Sequence, residues 1–463
     1  VRHGDGFGPV NTSFFGELLQ TISDRGRALL DRRDRRGAAQ ERSAGLVELC
    51  EDLLTGRGEA SGVALAREIL NHYAELTTGP RIAFFEVLAT QFGPDPVRLD
   101  AAIAAWQQAP SDETGSELHL ASEPRRQELF RRLNLAPNGT AALVRMREQL
   151  IDAMDRREDL VAVERTFIHL FSSWFNRGFL VLRRIDWSTP ANILEKIIRY
   201  EAVHQIHDWD DLRRRIEPAD RRCYAFFHPA MVDEPLIFVE VALTRDIPGA
   251  IEPILATRRE PFGLDRAATA VFYSISNCQR GLAGVSFGNF LIKQVVEEIS
   301  REKTGLSNFV TLSPAPNFAQ WLKRERTTEA SIVLTPEDRE ALANLDIADW
   351  WRSAELREPV QDPLLRAAAW YFLHARTRSG GPVDSVARFH LGNGARLERL
   401  NWLADTSDKG ISQSHGLMVN YLYDLDDIEK NHEAFAQHRT VVASSAVTRL
   451  ARAAARDVVP LVG

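Results

Sequence analysis

The chain has 463 residues, too long for one ordinary domain, and its 44% apolar and 26% charged content is that of a globular protein able to bury a real core. A net charge of −7 argues against non-specific binding to nucleic acid or to anionic membranes. The three cysteines (Cys50, Cys223, Cys278) are far apart and form no C-x-x-C, which offers neither a disulfide framework nor a zinc site.

The start, "VRHGDGFGPV", shows neither Met nor an apolar signal core, and "PLVG" at the other end is no peroxisomal address. Even the apolar run "PLIFVEVAL" is interrupted by Glu240, well short of the ~20 residues that span a bilayer. A reducing, cytoplasmic setting is therefore expected. From about residue 12 to 185 the pattern predicts helix after helix. "NTSFFGELLQTISDRGRALL", "SAGLVELCEDLLT", "GVALAREILNHYAEL" and "AALVRMREQLIDAMDRREDLVAVERTFIHLFSSWF" place apolar residues at i, i+3 and i+4. Gly and Pro in "TTGP", "FGPDP" and "APNGT" separate them. No repeat period and no catalytic grouping stands out in this half.

Near Trp187 the texture changes. "STPANILEKI" predicts a helix with Thr189 as N-cap and Pro190 at its first position. Strands are then expected at "RRCYAFFH", "PLIFVEVALT", "ATAVFYSIS" and "NFVTLSP", all rich in Val, Ile, Phe and Tyr. Helical patterns alternate with some of them, so the second half is read as α/β and as the seat of the chemistry.

The stretch "CQRGLAGVSFGNFLIKQVVEEI" (278–299) contains GVSFG, a literal G-x-S-x-G. A nucleophile elbow needs its serine at the strand-to-helix turn. Here about nine residues separate the strand end from Ser286, and the periodicity of Phe287, Leu291, Val295 and Ile299 predicts a helix from Val285 onward. Gly281 and Gly284 then form the turn, and Ser286 with the free N–H groups of the first helical turn is expected to cradle an oxyanion. A mere helix start and a nucleophile are the other readings of Ser286.

Strand, Gly-containing loop, helix and strand in this order is how GNAT-type acyltransferases hold the pyrophosphate of coenzyme A. Gly281-Leu282-Ala283 supplies the G-x-A end of their loop, with Cys278 where Gln or Arg is usual. Longer strings go further. "FYSISNCQRGLAGVSFGNFLIKQVV" (272–296), "FVTLSPAPNFAQWL" (309–322), "FHLGNGARLERLNWLADTSDKGISQSHGLMVNYLY" (389–423) and "CYAFFHPAMVDEPLIFVEVALT" (223–244) resemble the malonyl-CoA decarboxylase family.

The resemblance implies a multidomain chain of α+β and α/β character. A helical oligomerisation domain (1–186) would precede a GNAT-like acyl-CoA-binding catalytic domain (187–463). It implies a homo-oligomer, dimer or tetramer, that turns malonyl-CoA into acetyl-CoA and CO2, with coenzyme A as part of the substrate, no separate cofactor and no metal. Neither nucleic acid nor membrane is among the expected partners. The family's catalytic serine falls on Ser313 and its histidine on His390, with Tyr423 and Ser274 near the acyl end. The coenzyme loop falls on Gly281 and on Ala283, Gly284, Val285, Ser286, Phe287, Gly288 and Asn289. At position 286 some relatives carry an acidic residue.

The chemistry asks for three things: donors for an enolate oxygen, a poorly solvated carboxylate, and a proton for the new carbanion. Ser313 stands at a strand exit before Pro314, and His390 on a short helix stopped by Gly392 or Gly394. Taken alone, a Ser before Pro reads as a turn residue and a lone helical His as packing. His204 and His207 lack a third metal ligand, and His415 is a spare candidate. An acyl-CoA N-acyltransferase, a non-catalytic CoA-binding module and a CoA-releasing hydrolase are the competing readings.

Overall fold

The computed structural model describes residues 45–457 except 56–57, 156, 260–262, 286, 288–290 and 330. The helix expected at "NTSFFGELLQTISDRGRALL" lies outside the described residues, as do Ser286, Gly288 and Asn289. The chain divides into two compact units. One comprises the described residues within Val1–Val181, joined by Phe227–Pro235 and Gln279–Phe287. The other comprises Leu182–Phe226, Leu236–Cys278 and the described residues within Gly288–Gly463.

The first unit is helical: α1 (Gly45–Leu54), α2 (Glu59–Glu75), α3 (Thr78–Thr90), α4 (Pro96–Gln108), α5 (Asp112–Ser122), α6 (Arg125–Leu133), α7 (Gly139–Ala153) and α8 (Val161–Trp174). Its core is aromatic, with Phe130 stacked on Phe167 at 4.3 Å and Phe171 edge-on to Phe175 at 5.5 Å. The long run expected as one helix over 141–175 is two, α7 and α8. The break falls in the charged stretch 154–160, where the Arg157 guanidinium pairs with Glu86 and Asp159 rather than continuing a helical face.

The second unit is built on a mixed sheet of β1 (Val181–Ile185), β2 (Arg221–Phe227), β3 (Pro235–Thr244), β4 (Thr269–Asn277), β5 (Asn308–Thr311), β6 (Ser313–Pro314), β7 (Arg396–Asn401) and β8 (Met418–Leu422). The strand order is β1-β2-β3-β4-β5-β8-β6, with β7 also on β8. The helices of this unit are α9 (Ala191–Tyr200), α10 (Trp209–Ile216), α11 (Glu252–Leu255), α12 (Leu291–Glu302), α13 (Phe318–Thr327), α14 (Pro336–Leu342), α15 (Ala354–His374), α16 (Ser385–Gly392), α17 (Asp408–Ser414), α18 (Ile428–His438) and α19 (Ser445–Asp457). Strand β2 is buried along its whole length and β3 nearly so, which is why both are dominated by apolar residues with little polar alternation. One face of the sheet packs Val271, Tyr273, Val310, Leu312 and Met418 against Ile251, Ile254 and Ala404.

Two local expectations are corrected. Helix α9 starts at Ala191 with Pro190 as its cap residue, because the Thr189 hydroxyl is taken by the N–H of Asp186 at 3.0 Å. Val285 and Phe287 lie outside any helix, and α12 is described from Leu291, so the helical spacing began too early. The cause is local: Arg280–Leu282 forms a 3₁₀ turn and Gly284 adopts φ +75°, which no helix continues through. Leu291, Val295 and Ile299 do form the buried stripe of α12. Among the described residues no helix is long and apolar enough to cross a membrane.

Candidate active site

β4 and β5 run parallel from Thr269↔Asn308 to Phe272↔Thr311. There the two strands part. β4 continues to Asn277, whereas the chain after β5 turns aside to pair Ser313 and Pro314 antiparallel with Val419 and Met418 of β8. Pro314 has no N–H to extend the ladder, so β6 ends after two residues. A cavity of about 230 Å³ lies at this parting; Phe272, Ile275, Pro314, Val386 and Phe389 give it an apolar wall, and Ser313 and His390 face it.

Helix α16 brings His390 to this place. Asp384 caps it by accepting from the N–H groups of Val386 and Ala387, both at 2.9 Å. Gly394 follows its end at φ +83°, with the carbonyl oxygen of Ile428 only 2.2 Å from where a Cβ would stand, so no other residue fits. His390 is 2% exposed, and its ring is held on three sides. Nε2 lies 3.0 Å from Ser313 Oγ, Nδ1 lies 2.8 Å from the Tyr423 hydroxyl, and the Tyr421 ring stacks on the imidazole at 4.7 Å and 24°. Burial alone lowers the basicity of His390 to about 3, so the ring is neutral at neutral pH. Burial likewise raises the Tyr423 phenol well above its ordinary value and keeps it protonated. Ser313 Oγ also donates to Thr311 Oγ1 at 2.9 Å. Ser313, His390 and Tyr423, scattered over 110 positions of sequence, thus form one hydrogen-bonded chain.

Ser274 is placed differently. Its hydroxyl meets both oxygens of the Glu201 carboxylate, at 2.8 and 2.7 Å, while its neighbours Tyr273 and Ile275 line the cavity. The same carboxylate accepts from the N–H groups of Val203 and His204 at 2.7 and 2.8 Å, tying the loop after α9 to β4. Val203 also lines the cavity. Sequence reasoning passed over Glu201, Thr311 and Tyr421, since one carboxylate, one strand Thr and one buried Tyr carry no local pattern. The spare candidate His415 is the cap residue of α17 in the left-handed region and packs edge-on to Trp350 at 6.5 Å, apart from the Ser313–His390 pair.

Within the helical unit lies the loop Gln279–Phe287. Arg147 of α7 holds it, with Nη1 donating to the carbonyl of Gly281 at 2.8 Å and Nη2 to that of Ala283 at 2.7 Å. Glu164 of α8 balances the charge, at 3.0 and 2.6 Å from the same guanidinium. A Cβ on Gly281 would stand 2.0 Å from the carbonyl oxygen of Val144, so glycine is obligatory there. Gly284 faces open space. Among the described residues no three His, Cys, Asp or Glu side chains are placed to hold a metal ion.

Comparison with known proteins gives a consistent picture. Residues 178–459 match the family model described as the malonyl-CoA decarboxylase C-terminal domain, and residues 92–175 match that of its N-terminal domain. The mitochondrial malonyl-CoA decarboxylase of Anser anser anser is 35% identical over 415 residues, 82% of each chain. That of Rattus norvegicus is 34% identical over 429 residues, 87% of this chain and 85% of the relative. The crystal structure of malonyl-CoA decarboxylase from Rhodopseudomonas palustris shares 59% identity at a TM-score of 0.86, covering 88% of this chain and 99% of that one. The one from Agrobacterium vitis shares 57% at a TM-score of 0.84, with the same coverage.

Proposed function

Because this chain belongs to the malonyl-CoA decarboxylase family, we propose that it is the carbon–carbon lyase that splits malonyl-CoA into acetyl-CoA and CO2 at the parting of β4 and β5. The observation that carries the reading is the Ser313 Oγ–His390 Nε2 contact of 3.0 Å facing a cavity with an apolar wall. Decarboxylation breaks the bond between the carboxylate carbon and the methylene carbon. CO2 leaves, the electron pair passes into the thioester carbonyl as an enolate, and one proton added to the methylene carbon completes the acetyl group. An apolar wall solvates the carboxylate poorly and favours its loss. Ser313, its hydroxyl turned from Thr311 to the substrate, orients the malonyl group by donating a hydrogen bond, and His390 takes a proton from solvent onto its ring and gives it to the methylene carbon. The ring is neutral before substrate enters; a carboxylate and then an enolate beside it raise its proton affinity, which fits it to hold and pass on a proton.

The loop from Gly281 to Phe287 is assigned here to the coenzyme A pyrophosphate, as backbone N–H groups in a tight Gly turn suit phosphate oxygens. Purified protein given malonyl-CoA alone should release CO2 and acetyl-CoA in equal amounts. Free CoA as the product would instead indicate a hydrolase, and dependence on an added amine an acyltransferase. Ser313→Ala and His390→Asn should each lower kcat by about 10²-fold with little change in KM, the range for a lost oriented donor or general acid. Wild-type turnover in both variants would remove the assignment.

A further inference from the structure

The hydrogen-bonded chain at Ser313 has a direction. A serine hydroxyl has one proton to give, and the geometry sends it to Thr311 Oγ1 at 2.9 Å. Ser313 Oγ therefore meets His390 Nε2 as an acceptor, and Nε2 must carry the hydrogen of the neutral ring. The other end accommodates the same direction. Among the described residues the Tyr423 hydroxyl has His390 Nδ1 as its hydrogen-bond partner, at 2.8 Å. A hydrogen on Nε2 leaves Nδ1 free to accept the buried Tyr423 proton, in line with the direction set at Ser313. With the hydrogen on Nε2 the three contacts run one way: Tyr423 to Nδ1, Nε2 to Ser313, Ser313 to Thr311.

The terminus of this chain is built rather than incidental. Thr311 is fully buried at the last rung of β5, and its Oγ1 also accepts the N–H of Tyr421 at 3.1 Å. Its carbonyl takes the Asn420 amide at 2.8 Å, which fixes the residue between β5 and β8.

We propose that Thr311 is a positioning residue: by accepting the Ser313 hydroxyl it fixes His390 as the Nε2–H tautomer, so that the pair is wired to give a hydrogen and not to act as base and nucleophile. The opposite wiring, with the serine proton on Nε2, is that of a hydrolase. This rests on the Ser313–His390 reading above and adds what decides the sense of that pair.

The full chain with ¹⁵N-labelled histidine reports the tautomer directly, the His390 signals being assigned by their loss in His390→Asn. The wild type should show the Nε2–H form at neutral pH. Thr311→Val keeps the shape but removes the acceptor; it should shift His390 toward Nδ1–H. It should also lower kcat for malonyl-CoA about tenfold, the loss of one oriented hydrogen bond, with KM within about twofold. Thr311→Ser, which keeps the acceptor, should hold the Nε2–H form and recover most of the lost turnover. An Nδ1–H wild type overturns the proposal, as does a Thr311→Val enzyme with unchanged tautomer and turnover. If Ser313→Ala and His390→Asn stay active while the wild type shows Nε2–H, the catalytic reading fails and the wiring stands.

Discussion

Five of the described histidines lose water to the fold and become weaker bases for that reason first, His390, His204 and His415 the most. Burial lowers His390 to about 3, and His204 and His415 each to about 4. In the unfolded chain the same rings take up protons as pH falls through ~6.5. Between that pH and about 4 the unfolded state binds more protons than the folded one, so stability is fully present above ~6.5 and declines on acidification. Thermal unfolding followed from pH 7 to pH 4.5 should show Tm falling steadily, and His390→Asn should make the fall shallower. An unchanged slope in that variant would mean that His390 is protonated in the folded protein. The same burial explains why a lone His on a helix, read from sequence as packing or as catalysis, had to wait for its partners.

At the scale of elements, α7 and α8 do more than pack. The salt-bridged Arg147–Glu164 pair presents two donors to the carbonyls of Gly281 and Ala283. Arg147→Met should raise KM for malonyl-CoA several-fold while kcat changes less, since the loop proposed for the pyrophosphate loses its brace. It should also cost on the order of 3 kcal/mol, because Glu164 is left partly buried and unpaired. Adding Glu164→Gln should recover part of the lost Tm and none of the KM, separating the fold from the brace; recovery of both would show that only charge balance matters. The sequence made the strands β2, β3 and β4 plain, since each is rich in Val, Ile, Phe or Tyr and mostly buried. It hid β1 and β7, whose "VLRRI" and "RLERLN" are short and charged. β7 exists because β8 pairs with it from Arg396↔Leu422 to Asn401↔Met418, a long-range fact with no local signature.

For the whole molecule, the helical half has one part that the first unit itself leaves uncovered. Helix α4 buries no side chain and α5 only Ala121, while Val97, Ile103, Trp106 and Leu120 are exposed. These apolar groups fit the proposal that the chain self-associates through its helical half. A cut near Asp186 is a poor test, because it would also strip Arg147 from the Gly281 loop. Ile103→Arg with Trp106→Arg is the better one. Light scattering should show the unmodified chain as an oligomer and the double variant as a monomer; equal masses would move the interface elsewhere.

What the amino-acid sequence determined by itself was whatever short-range forces set: amphipathic helices, apolar strands, the Asp384-capped helix that carries His390, the turn glycines, and the long strings shared with one family. Residues close in sequence fix these through propensity and periodicity. Only the tertiary structure decided that Ser313, His390 and Tyr423 meet, that Thr311 closes their chain, and that an arginine of the helical half grips the Gly281 loop. The Ser313–His390, His390–Tyr423 and Arg147–Gly281 contacts span 33 to 134 residues, and they exist because burying the sheet and helices brings distant groups together and removes their water. Desolvation is a property of the packed molecule, so the neutral ring of His390 and the direction of its hydrogen bonds arise there and nowhere in the linear pattern.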